Sequence, residues 1–103
     1  MQKNSLAEYQ LGINARMRME EEINNLRVTG GDASKGVTVE RCGNSPPKHL
    51  VINITDDGKA MGKAALETEL VSALKSASEQ SKKGREMAQQ KMMQYIGEQM
   101  KSM

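Results

Sequence analysis

This 103-residue chain has no Phe and no Trp, and only two Tyr, one Cys, one His and two Pro. Each scarcity excludes something. Without large aromatics the core has to be assembled from Leu, Ile, Val, Ala and Met. Such a core is thin for a monomer, because small domains already bury a lower share of their surface. The shortage predicts a homodimer. Cys42 stands alone, so no intrachain disulfide forms within the chain, and a reducing compartment is favoured. No apolar run approaches the roughly 20 residues needed to cross a bilayer, and no membrane insertion is expected. The segment Met1-Gln2-Lys3-Asn4-Ser5 lacks the apolar stretch of a secretory signal.

The chemistry-bearing residues are equally sparse. His49 and Cys42 invite a nucleophile–base pair, since cross-strand pairing brings such positions together. No third group is evident to orient the base, and nothing marks an oxyanion site. A lone His, a lone Cys and scattered carboxylates lack the paired-ligand spacing of a metal centre. Gly31-x4-Gly36 has a phosphate loop's glycine spacing, but Val37 stands where that loop needs its Lys. The expectation is a protein that is not an enzyme, with no catalytic, metal or cofactor residues and no small-molecule substrate.

What remains is shape. Residues Asn4 to Leu26 and Lys63 to Met103 read as helix. In the first, Leu6, Tyr9, Ile13 and Met17 recur at three- and four-residue steps on one face, and Met19, Ile23 and Leu26 continue the stripe after a small rotation. In the second, Leu66, Leu70, Leu74 and Ala77 form the best amphipathic stripe. Beyond it, Ser81-Lys82-Lys83-Gly84-Arg85 weakens the apolar face, Gly84 is a candidate kink or helix end, and a Met-rich tail follows (Met87, Met92, Ile96, Met100 and Met103). Between the helices the period changes to two. Val37 and Val39, then Leu50, Ile52 and Ile54, alternate with other residues as half-buried strands do. A short first strand is expected around Arg27–Thr29. Turn residues fill Gly31–Gly36 and Gly43–Pro47. The result is an α+β chain, one domain over 1–103: a helical arm (1–27), a three-stranded antiparallel meander (28–58) whose edges need covering or pairing, and a C-terminal helical part (59–103).

Charge is uneven along this layout. The net +2 gathers at the C-terminal end, where residues 59–103 carry +3. Lys82, Lys83 and Arg85 lie close together, a cluster able to neutralise phosphates without reading bases. They are the main candidate contacts to double-stranded DNA. Lys91 and Lys101, with Arg16 and Arg18 from the first helix, are secondary. Met on helical arms also offers a pliable surface that accepts varied apolar partners. The rival expectation is therefore a dimeric, chaperone-like adaptor.

The order of motifs resembles the YbaB/EbfC family of nucleoid-associated proteins. It runs from Met17-x-Met19-Glu20-Glu21-Glu22-Ile23-x2-Leu26-x-Val28-Thr29-Gly30, through Gly36-Val37-Thr38-Val39, Gly43-Asn44 and Leu50-Val51-Ile52-Asn53-Ile54, to Leu66-Glu67-x2-Leu70-Val71-x-Ala73-x3-Ala77. The resemblance implies an α-β-β-β-α fold, a tweezer-like homodimer, and largely sequence-tolerant duplex binding in the cytoplasm at the nucleoid, with effects on nucleoid organisation and transcription. Plastid relatives extend the implication to the stroma and to thylakoid membrane protein biogenesis.

Overall fold

Helix formers dominate both ends of the chain, and turn-forming Gly, Asp, Ser and Pro break up its middle. The structure, a computed structural model, describes residues 2–102. Met1, the first residue of the expected signal-free start, and Met103 of the expected Met-rich tail lie outside the described residues. Helix α1 spans Gln2–Asn25, followed by β1 (Val28–Asp32), a 3-10 turn at Ala33–Lys35, β2 (Val37–Arg41), β3 (Leu50–Ile54), the short α2 (Asp56–Ala60) and α3 (Lys63–Ser102). The sheet is antiparallel in the order β1-β2-β3. Val39 is the central position, opposite Gly30 on one side and Ile52 on the other.

Local chemistry sets the connections. Asp32 Oδ1 accepts from the Ser34 N–H and hydroxyl, which starts the 3-10 turn. Gly36, at φ 87°, ends it in the left-handed region that favours glycine. Thr55 caps α2, its Oγ1 accepting from the Gly58 N–H. The expected helix start at Thr55-Asp56-Asp57 is therefore a separate turn of helix. Gly62, at φ 91°, swings the chain before α3 begins at Lys63.

The core is small and made of small side chains. Val37, Val39, Ala73 and Ala77 form its centre, with Met61, Leu66 and Leu70 packed partly against it. Helix α3 crosses β1 closely because Gly30 leaves no side chain in the way. A Cβ there would meet the Ala73 carbonyl and the Ala77 backbone. Ser81, expected to weaken the apolar face, is fully buried, its Oγ donating to the Cys42 carbonyl at 2.9 Å. Nor does Gly84 kink the helix: α3 is continuous through it, and the missing side chain makes room for Leu26.

Two expectations about apolar faces change. Strand β3 is exposed along Leu50–Asn53 rather than half-buried, because α3 lies over β1 and β2 and leaves the third strand uncovered. On α1, the face turned to α3 carries Leu11, Ala15 and Met19. Leu6, Tyr9 and Met17 point away and are 73%, 68% and 62% exposed. The periodicity was real, but small Ala15 permits the closer helix approach, so the bulkier stripe stays in solvent.

The molecule is a rod, 67 × 18 × 15 Å, with a radius of gyration of 19.4 Å. A compact domain of this length has about 13 Å. Forty residues of α3 account for about 60 Å of that length.

Candidate nucleic-acid interface on the helical arm

Beyond the sheet, α1 and the second half of α3 run antiparallel as a two-helix arm. Small residues let them approach: Ala15 and Ala88 are both buried. Two polar contacts hold the pair. Lys91 Nζ donates to Glu22 Oε1 at 2.7 Å, and the Arg18 guanidinium lies 4.3 Å from the centre of the Tyr95 ring. An open cleft of about 490 Å³ runs between the helices, lined in part by Met19, Glu21, Asn25 and Met92.

These contacts divide the seven predicted basic residues into two groups. Arg85, expected beside Lys82 and Lys83 as a main phosphate contact, is half-buried and donates to the Gly43 carbonyl at 2.8 Å. It ties α3 to the loop after β2, because helical spacing turns it toward the sheet while Lys82 turns outward. Lys91 and Arg18 are engaged across the arm, as above. Lys82, Lys83, Lys101 and Arg16 are exposed, and among the described residues none of them has an ion-pair partner.

The free group is laid out lengthwise. Lys83 and Lys101 are 18 residues apart, five full turns, and so share a face of α3 at a separation of about 27 Å. Met87, Gln90 and Gln94 lie between them, an uncharged stretch. Lys82 lies on the side opposite Ala73. Lys75, two turns earlier, shares that outer face and is also exposed. Sequence reading passed over Lys75, although its seven-residue step to Lys82 was the available signal. Glu79 and Glu86 flank the pair Lys82–Lys83 at helical spacing, which moderates the local field.

The sheet end also carries exposed basic residues, Arg27, Lys35, Lys48 and Lys59 among them. The Cys42–His49 pairing is a backbone one, with the Cys42 N–H donating to the His49 carbonyl at 3.2 Å. His49 Nε2 sits 2.7 Å from Glu40 Oε2, diagonally across the strands. The Lys48 N–H is directed at Cys42 Sγ at 3.3 Å. Burial pushes the buried Cys42 thiol up, but the backbone N–H groups of Asn44, His49 and Lys48 outweigh it and hold the thiol below its usual range. Arg41 is also turned inward, donating to the carbonyls of Cys42 and Asn44. Among the described residues no group of three or more His, Cys, Asp or Glu is placed to hold a metal, and no helix is long and apolar enough to cross a membrane.

Comparison of the chain with protein-family models, with curated proteins and with solved structures finds no match in any of the three.

Proposed function

We propose that this protein is a homodimeric, sequence-tolerant binder of double-stranded DNA whose helical arms contact the phosphate backbone. One observation carries the reading: among the described residues Lys82, Lys83, Lys101 and Arg16 stand exposed and without ion-pair partners along the rod, Lys82 and Lys83 where α3 leaves the sheet and Lys101 and Arg16 out on the two-helix arm. Cations spread along a rod neutralise phosphates on a duplex without any base-reading cluster. The motif order that resembles the YbaB/EbfC family points the same way, toward a nucleoid-associated role in the cytoplasm. On this reading Arg85 serves the fold, while Lys91 and Arg18 position the arm and reach phosphate only by leaving Glu22 and Tyr95.

The test is binding of unrelated duplexes by the intact protein over a range of salt. Binding that weakens steeply with salt, and that drops after charge reversal at Lys82 and Lys83, supports the reading. Indifference to both changes removes it.

A second reading is favoured by a different observation. Leu6, Tyr9, Ile13 and Met17 form an exposed apolar ridge on α1, and Met87, Met93 and Met100 are exposed on α3. A dimeric adaptor that receives apolar segments on its arms, as in biogenesis of a thylakoid membrane protein in the plastid stroma, would use this ridge. Capture by the ridge survives high salt, whereas phosphate contacts fade.

A further inference from the structure

Strand β3 is an edge without protection. Its ladder to β2 is bracketed by two bonds, Thr55 N–H to the Gly36 carbonyl and Cys42 N–H to the His49 carbonyl. With the register of Val37 opposite Ile54 and Arg41 opposite Leu50, antiparallel alternation assigns the inward backbone groups to residues 49, 51, 53 and 55. The N–H and C=O groups of Leu50, Ile52 and Ile54 therefore point off the open edge. None of the devices that guard such an edge is present: β3 carries no charge, no Pro and no bulge.

The side chains beside this edge are apolar. Leu50 and Ile52 are 46% and 43% exposed, and Val71 and Leu74 of α3 are exposed too. Gln80 bonds the Thr29 carbonyl on the β1 flank of α3, while Ser81 and Arg85 reach the loop after β2. That order around the helix puts Leu74 on the β3 flank. The molecule as a whole exposes 7376 Å², whereas a folded monomer of 11.3 kDa exposes about 5,700 Å². The surplus is about twice the roughly 800 Å² that each partner of a standard interface buries. Among the described residues, no hydrophobic side chain larger than Val is fully buried.

We infer that the occupant of this edge is the β3 of a second copy, joined antiparallel about a two-fold axis through Ile52. This rests on the homodimer of the proposed function and supplies its seam. A strand pairing antiparallel with itself is self-complementary, as a two-fold interface requires. In the register that faces Ile52 with its own copy, Leu50 faces Ile54 of the partner subunit. Every outward N–H and C=O of the three residues is then bonded, and the two sheets become one of six strands. Leu50, Ile52 and Leu74 of both copies close over the junction. The seam uses none of the arm lysines.

The test takes the full chain. Ile52→Pro removes an outward N–H while leaving the β2 ladder its donors, since Pro is tolerated where the N–H of an edge strand faces out. Sedimentation equilibrium of the parent at micromolar concentration gives twice the chain mass. In Ile52→Pro the dimer is weakened about 100-fold, two hydrogen bonds being lost across the axis at about tenfold each. Ile52→Cys forms an intermolecular disulfide under mild oxidation, because Cα atoms of a bonded antiparallel pair lie about 5.5 Å apart, within disulfide reach. The parent, whose only thiol is buried, is the control. A parent that stays monomeric overturns both the seam and the homodimer. A dimeric parent whose Ile52→Pro variant dimerises as tightly, or whose Ile52→Cys variant does not cross-link, overturns the seam alone. If Ile52→Pro does not fold, the cross-link decides. A confirmed seam without duplex binding leaves this inference standing and removes the DNA reading.

Discussion

The same substitution, glycine to alanine, should have opposite effects at two positions of this chain. At Gly30 an added Cβ meets the Ala73 carbonyl, the Ala77 N–H and, at 3.0 Å, the Ala77 Cα. All of these are backbone atoms of a helix that cannot rotate aside as a side chain would. The variant has to lift α3 off β1 and loosen the centre formed by Val37, Val39, Ala73 and Ala77. Overpacking of this kind costs about 1–3 kcal/mol, and backbone against backbone belongs at the upper end. At Gly12, inside α1, nothing lies within 4 Å of an added Cβ. There alanine removes a glycine's helix penalty and stabilises by about 1 kcal/mol. Thermal unfolding followed by circular dichroism, at one fixed protein concentration, reads both. At about 4–8 °C per kcal/mol, Gly12→Ala should melt several degrees above the parent. Gly30→Ala should melt about 10 °C or more below it. A Gly30→Ala protein as stable as its parent would refute the close crossing on which this fold is built.

Other outcomes follow from single contacts. Ser81→Ala removes the buried hydroxyl bonded to the Cys42 carbonyl and should destabilise by about 1 kcal/mol in denaturant titration. Lys91→Ala breaks only an exposed pair with Glu22. It should change stability by less than about 1 kcal/mol and weaken duplex binding less than Lys82→Ala does. Asp32 is held below the usual carboxylate range, chiefly by the Ser34 hydroxyl and then by the Ser34 N–H. A depressed carboxyl stabilises the fold above its unfolded value and loses that contribution as pH falls through the folded one. The advantage of the parent over Asp32→Ala should therefore be full above about pH 4 and shrink below it in pH-dependent unfolding.

The element order was readable because its signals are local. Period-two alternation at Val37–Val39 and Leu50–Ile54, turn residues at Ala33–Gly36 and helix formers after Lys63 each act within a few residues. Gly31 and Asp32, expected in the turn, instead extend β1 beyond the expected Arg27–Thr29, because they pair with Thr38 and Val37. What escaped was the choice of face. Two apolar stripes wind along α1, and hydropathy favours the one with Leu6, Tyr9 and Met17. Distance of approach favours the one with Ala15, which is buried, because only a small side chain there lets α1 seat close against α3. Gly84 and Ser81 misled for a related reason: as single residues they suggest a break and a polar interruption. Their roles appear only when Leu26 and the Cys42 carbonyl arrive from distant parts of the chain. The cluster Lys82-Lys83-Arg85 read as one patch because neighbours in sequence look like neighbours in space. On a helix they diverge, and Arg85 finds the Gly43 carbonyl.

The most direct measurement of the central claim is the salt dependence of duplex binding by the parent and by a Lys82→Glu/Lys83→Glu protein. Each phosphate neutralised contributes a slope of about −0.9 to log K against log salt. The parent should bind unrelated duplexes alike with a steep negative slope, and the double reversal should flatten it by about 2 for each arm engaged. No binding by the parent at low salt, or an unchanged slope after the reversal, would contradict the claim that these arms hold DNA.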